Sequence, residues 1–340
     1  MKLQSHPFEL KLRHVFSVAH GTRSSVHSLI VSLSQNGQTG YGEATAIPYY
    51  GLDIGRMQER LSQVQPAVEA LPLTTPEELW EKLRVLLPED PFLLCALDEA
   101  AHDLYGKLHG QAVYERWGLA LDKLPLSNYT IGIASVAEMM EKMRAQLWPV
   151  YKIKLGTEDD LAIVRALREH TDATFRIDAN TAWTAEQTIA YAPELKALGV
   201  ELIEQPLKAD DWEGTKRVFA ESALPVIADE SCQTASDIAR CHGFFHGVNI
   251  KLMKCGGLTP ARRMVDQARQ LGMRVMVGCM TESSVGISAV AQLLPLLDYV
   301  DMDGAMLLSN DPAEGVKLSD GKAVFPNRPG TGVYLKEDAR

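Results

Sequence analysis

Charged residues recur at a near-constant interval through the second half of the chain. Lys154, Asp178, Glu204, Asp229 and Lys251 follow one another at steps of 24, 26, 25 and 22 residues, each closing a short apolar run. That interval is one strand–helix–strand unit, which places the five side chains at the C-terminal ends of successive parallel strands. In a barrel those ends converge on one mouth. Three acids from consecutive strands, Asp178, Glu204 and Asp229, would repel one another in a low-dielectric mouth unless a cation sat among them. Oxygen-only ligands favour a hard ion, and three carboxylates with open positions suit Mg²⁺. One acid at a strand end is ordinarily a helix cap or a turn former. Glu204, in the apolar run LIEQP, does not fit that description.

The lysines extend the pattern. Lys152 and Lys154 stand two apart in YKIKLG, so both side chains leave the same face of a strand. A second ammonium and a divalent ion nearby would each depress a lysine pKa, yielding a neutral amine able to act as a base. Lys251 belongs to the sixth strand of the series, across a barrel from the second. A substrate held at the metal would have an amine on each side, the arrangement for removing a proton from one face and returning one to the other. Lys254, beside Cys255-Gly256-Gly257, reads as a loop residue beyond the strand.

These residues need elements to position them. From about Leu126 short apolar strands are expected at 127–133, 150–155, 174–179, 201–206, 225–230, 247–253, 274–280 and 299–303. Helical stretches such as 159–170, 184–198, 259–272 and 284–297 separate them. Eight strands and seven intervening helices meet the requirement of a (β/α)-barrel, with an open doubly wound sheet as the alternative. The first 120 residues differ. Strands at 9–17, 27–34 and 41–45, with a turn at Asn36-Gly37, precede helices at 54–70, 76–87 and 91–109, which is the order of an α+β unit.

Composition narrows the function classes. With 46% hydrophobic and 23% charged residues the 340-residue chain is an ordinary globular one rather than a disordered one. Its net charge of −10 argues against nucleic acid, which calls for a concentrated basic face. Five scattered cysteines without a Cys-x-x-Cys pair read as reduced thiols. There is no leader-like apolar segment at the N-terminus and no run long enough to span a membrane, so a cytoplasmic protein, expected as a homo-oligomer, is the default.

The chain resembles the enolase superfamily, specifically its muconate lactonizing enzyme subgroup. The matching elements are the Lys-x-Lys at 152–154, RIDAN at 176–180, IEQP at 203–206, ADES at 228–231 and NIKLMKCGG at 249–257. The resemblance implies an α+β capping domain over residues 1–124, completed by about 322–340, on a (β/α)7β barrel over 125–321, with 336–340 as a tail. It implies Mg²⁺ on Asp178, Glu204 and Asp229, Lys154 and Lys251 as the acid/base pair, Lys152 on the substrate carboxylate, and Glu230 near the metal. Asp301-Met302-Asp303 looks like the Asp-x-Asp motif with which dipeptide epimerases hold the N-terminal ammonium of their substrate. Two inward carboxylates on one strand face make a cation pocket; the plainer reading is a turn before Gly304. Substrate contacts are also expected from Thr130, Met280 and the cap segments His20–Arg23 and Tyr49–Gly51, with Arg23 placed to pair with a glutamate side chain. The implied activity is inversion of the C-terminal residue of an Ala-X dipeptide, X being Glu or small and hydrophobic. N-acylamino acid racemase, o-succinylbenzoate synthase and muconate cycloisomerase share the lysines and the triad. A binding protein that kept the fold is the non-enzymatic alternative.

Overall fold

The computed structural model describes residues 1–18 and 21–337, so His20 and the tail residues 338–340 lie outside the described residues. Long antiparallel strands β1 (Lys2–Val18), β2 (Gly21–Gln35) and β3 (Gln38–Thr45) open the chain. Helices α1 (Ile54–Ala70), α2 (Pro76–Leu86), α3 (Pro91–His109) and the short α4 (Val113–Arg116) follow. β1 starts well before the expected residue 9, because pairing with β2 carries the weakly alternating segment LQSHPF along. α3 is buried on nearly every side, between this sheet and the barrel. Phe92, Leu93, Leu94, Leu97 and Leu104 are each worth about 1.5–3 kcal/mol of burial. Gly40 and Gly42 of β3 let the helix backbone come close: a Cβ at either would collide with the carbonyls of Ala100 or Ala96.

The remainder is a (β/α)7β barrel. Its strands are β4 (Tyr129–Ile131), β5 (Val150–Lys154), β6 (Thr174–Asp178), β7 (Val200–Glu204), β8 (Val226–Ala228), β9 (Gly247–Lys251), β10 (Arg274–Gly278) and β11 (Tyr299–Asp301). They are parallel and ordered as in the sequence. The crossovers are α5 (Val136–Ala145), α6 (Asp160–Arg168), α7 (Ala185–Ala197), α8 (Trp212–Glu221), α9 (Ala235–Cys241), the pair α10 (Leu252–Cys255) and α11 (Leu258–Gln270), and α12 (Ser284–Ala291). A bridge between Ser127 and Val300 closes the ring, which excludes the open sheet. Side chains reinforce that seam. Arg176 reaches across the interior to Val300 O at 2.7 Å and Asn128 Oδ1 at 3.2 Å.

After β11, strand β12 (Ala313–Glu314) pairs with β15 (Tyr334–Leu335), and β13 (Lys317–Ser319) with β14 (Lys322–Val324) forms a hairpin. The hairpin tip lies under the barrel, where Gly321 O accepts from Ser127 N, while residues 330–335 rejoin the cap. Lys107 of α3 fastens that return, donating to Asp103 Oδ2 at 2.6 Å and Val333 O at 2.8 Å. No described helix is long and apolar enough to cross a membrane.

Candidate active site

Strand register sets the upper layer of the mouth. Lys154, Asp178 and Glu204 are level on β5, β6 and β7, and Lys251, Gly278 and Asp301 are level on β9, β10 and β11. Asp229 follows β8 directly. Lys154 and Lys251 are thus four strands apart in a ring of eight, on opposite sides, with the three carboxylates between them. Two turns aim those carboxylates. Asn180 (φ 43°) and Gln205 (φ 34°) hold the left-handed conformation that non-glycine residues seldom adopt and that concentrates at functional sites. Gln205 Oε1 accepts from Asp229 N at 2.9 Å and Ser231 N at 3.1 Å, tying the end of β7 to the end of β8.

Lysines penetrate the acids. Lys152 Nζ, buried one pleat lower, lies 2.9 Å from Asp178 Oδ2, 2.8 Å from Glu204 Oε2 and 2.8 Å from Asp301 Oδ2. Lys154 Nζ donates to Asp178 Oδ2 at 2.6 Å and Lys251 Nζ to Asp229 Oδ2 at 2.8 Å. Burial alone would push Lys152 down, but Asp178, Asp301 and Glu204 outweigh it and hold this lysine well above its usual range. Lys251 is likewise raised, because Asp229 and Glu204 overcome its burial. The expectation that a second ammonium lowers Lys152 is therefore corrected: carboxylates, not ammonium groups, are what this lysine touches. In return, and against burial, Lys152 and Lys154 hold Asp178 below the carboxylate range, and Lys251 with Lys254 do so for Asp229.

Lys254 is a second correction. It lies in α10 rather than in a loop, is 3% exposed, and donates to Asp229 Oδ1 at 2.6 Å and to Asp229 O at 2.6 Å. A strand that passes straight into a helical turn brings residue 254 back beneath residue 229, which spacing alone does not show. Asn249 also had no assigned role. It shares the inward face of β9 with Lys251, a two-residue spacing legible in NIK, and donates to Glu204 Oε1 at 2.9 Å.

The residue set fits a divalent cation. Glu204 is raised by burial and by Asp178, and its Oε2 lies near Lys152 without hydrogen-bond geometry. Around the mouth Asp178, Glu204, Asp229, Glu230, Asp301 and Asp303 face Lys152, Lys154, Lys251, Lys254 and, from the cap, Arg23, a formal deficit of one positive charge. Lys152 Nζ bridges Asp178 Oδ2 and Glu204 Oε2. The acid and thiol groups gathered within 4.8 Å of one another among the described residues are those of Cys279, Asp301 and Asp303. Octahedral Mg²⁺ at 2.0–2.1 Å needs oxygens within about 4 Å of each other, so the triad must draw together to bind it. Glu230 stands on the cavity wall, raised to about 7 by burial and by Asp229, with Asn180 Nδ2 at 3.4 Å.

The two acids at the end of the eighth strand, Asp301 and Asp303, also close the barrel. Asp301 accepts from Asn128 Nδ2 at 2.7 Å, and Asp303 accepts from Thr130 N at 2.6 Å. β11 ends at Asp301, so Asp303 turns inward from the position that caps the following 3-10 turn (Gly304–Leu307) and not from the strand, correcting the expected extent of 299–303. Burial and Asp301 push Asp303 up to about 7.

Above this floor is a cavity of about 320 Å³, roofed by Arg23, Ile47 and Tyr50 of the cap with Met280 and Leu307 of the barrel. Thr130 lines it as well as holding Asp303. Arg23 donates to Thr281 Oγ1 at 3.1 Å, and burial lowers its pKa. The Tyr49 side chain, like His20, is outside what is described.

Residues 135–339 match the family model described as Enolase C-terminal domain-like. The L-Ala-D/L-amino acid epimerase of a Maribacter species is 54% identical over 99% of this chain and all of its own length. The protein of that name from Flavobacterium johnsoniae is 52% identical over 98% and 100%. Among solved structures, the dipeptide epimerase of Enterococcus faecalis complexed with Mg and L-Leu-L-Tyr superposes with a TM-score of 0.91 at 30% identity, covering 98% of both chains. The substrate-liganded L-Ala-D/L-Glu epimerase of Bacillus subtilis gives 0.92 at 27% identity, covering 98% of this chain and 99% of its own. A barrel of this topology, its strand-end lysines and acids, and these likenesses together show that the chain belongs to the enolase superfamily.

Proposed function

We propose that this chain is a dipeptide epimerase, an isomerase that inverts the α-carbon of the C-terminal residue of an Ala-X dipeptide. The observation that carries it is the placement of Lys154 and Lys251 on opposite sides of three strand-end carboxylates, with Asp301 and Asp303 beside them. The names of the two relatives above 50% identity, and the Mg and dipeptide in solved relatives, support the same reading.

Asp178, Glu204 and Asp229 would hold Mg²⁺, which supplies Lewis-acid stabilisation of the charge that builds on the substrate carboxylate. Lys152, kept cationic by its acids, adds to that stabilisation. Lys154 in its amine form takes the α-proton from one face, leaving an enediolate. Lys251 in its ammonium form returns a proton to the opposite face, and the inverted carbon results. For the other enantiomer the two exchange roles, a division of labour general to enolase-superfamily sites. Asp301 and Asp303 receive the free ammonium of the N-terminal residue. The X side chain lies toward Arg23, Tyr50 and Met280, a wall with one cation and apolar surface that accepts Glu or a hydrophobic residue.

Incubating an Ala-X library in D₂O with Mg²⁺ tests this by mass spectrometry. A gain of one mass unit at the X residue is expected for several members. No deuterium in any dipeptide would sink the reading.

A further inference from the structure

The three carboxylates of the mouth divide their oxygens in the same way. One oxygen of each accepts from a donor outside the ring: Asp178 Oδ1 from Asn180 N at 3.0 Å, Glu204 Oε1 from Asn249 Nδ2 at 2.9 Å, and Asp229 Oδ1 from Lys254 Nζ at 2.6 Å. The other oxygen turns to the centre. There Asp178 Oδ2 meets Lys154 Nζ and Lys152 Nζ, Glu204 Oε2 lies beside Lys152 Nζ, and Asp229 Oδ2 meets Lys251 Nζ.

We infer that Asn249 and Lys254 are positioning residues which, with the Asn180 amide, restrict each carboxylate to ligation through a single oxygen and so select Mg²⁺ over Ca²⁺. The inference rests on the metal reading above. Mg²⁺ demands a near-ideal octahedron of six oxygens, whereas Ca²⁺ takes six to eight and favours carboxylates that offer both of theirs. An oxygen that already accepts a buried hydrogen bond has one lone pair left, so turning both oxygens of the carboxylate toward one ion strains that bond, whereas the inward lysines are cations that an incoming metal ion displaces.

The reserving donors are themselves fixed. Asn249 is fully buried on β9 and packs against Gly278 so closely that a Cβ there would lie 2.7 Å from its amide oxygen. Lys254 Nζ is pinned by Asp229 O at 2.6 Å and Cys232 O at 3.4 Å as well as by the carboxylate. Asn180 N is held by a left-handed backbone turn. Supporting donors of this kind orient metal ligands, and removing one typically costs about 10- to 100-fold in affinity.

Calorimetric titration of the substrate-free protein with MgCl₂ and with CaCl₂ tests the inference without reference to turnover. Wild type should favour Mg²⁺ by about tenfold or more. Asn249→Ala and Lys254→Gln should each move the Mg²⁺:Ca²⁺ affinity ratio toward Ca²⁺ by about tenfold or more. The ratio is the proper readout, because losing the Lys254 charge strengthens the attraction for both ions alike. If one variant fails to fold, the other and the wild-type ratio still decide. Mg²⁺ binding with an unchanged ratio in the variants, or a wild type that prefers Ca²⁺, overturns the inference alone. A wild type that binds no Mg²⁺ overturns the metal reading and this inference with it.

Discussion

Two groups of buried acids, those hydrogen-bonded by lysines at the mouth and those at the cap–barrel junction, behave oppositely. At the mouth, Asp178, Asp229 and Asp301 each touch at least one ammonium group and are held below the ordinary carboxylate range in spite of burial. At the cap–barrel junction, burial pushes Glu43, Asp98, Glu99 and Glu282 up. Their donors there are hydroxyls, thiols and backbone amides. Glu43 accepts from Ser28 Oγ and Ser283 Oγ at 2.6 Å and from Gly286 N at 3.1 Å. Asp98 accepts from Thr259 N and Oγ1 at 2.8 Å. His102 lies 3.8 Å from Asp98, but burial lowers it well below its usual value, so this is not an ion pair. The residue types and the burial match; only the neighbours differ. Acids that a lysine hydrogen-bonds are held down and available to a cation; Glu204, beside Lys152 without such a bond, is raised like the acids that face neutral donors and knit cap to barrel.

The largest effect should come from the amines that give the mouth its chemistry. Lys154→Met and Lys251→Met are each expected to slow α-proton exchange by about 10²–10⁴-fold. Exchange at the wild-type rate in either would favour a scaffold in which the mouth is no more reactive than the junction. Lys152→Met removes the charge between Asp178, Glu204 and Asp301 and should cost about 3–5 kcal/mol of stability. Urea denaturation with a chelator present measures that loss, which added Mg²⁺ should reduce; an unchanged midpoint would erase the contrast between the clusters.

Asp303→Asn weakens one charged contact to the substrate ammonium. A roughly 10- to 100-fold lower kcat/KM on Ala-X follows from about 1.5–3 kcal/mol for such a bond. Undiminished turnover would point instead to N-acylamino acid racemase, o-succinylbenzoate synthase or muconate cycloisomerase chemistry, which needs no ammonium pocket.

The smallest effect belongs to the junction. Burial raises Asp98 from 3.8 to about 8 against its bonds from Thr259. The folded state then holds this proton more tightly than the unfolded chain. Its stabilising contribution is complete below pH 3.8 and is lost as pH climbs through about 8. Asn can accept from Thr259 N and donate to its hydroxyl, so Asp98→Asn should cost less than about 1 kcal/mol at the acid end of that window. It should also flatten the fall in stability toward its alkaline end. A slope as steep as wild type would show that Asp98 is ionised like the acids of the mouth.

The barrel was legible because its strands repeat every 22 to 26 residues, each ending in a charge that an apolar run cannot otherwise accommodate. α1 and α3 begin and end where the sequence placed them, at 54–70 and 91–109. Lys254 was misread, and Asn249, Asn180 and Gln205 were passed over. Their partners lie 20 or more residues away or across a turn, where no periodicity points.

Sequence alone thus determined which strand-end lysines and acids would meet at the mouth, since strand pitch and pleat fix where each Cβ emerges. Tertiary structure decided their charge state and orientation. Those depend on which donor stands within 3 Å of which oxygen, and a carboxylate buried beside a lysine is chemically a different group from one buried beside a serine.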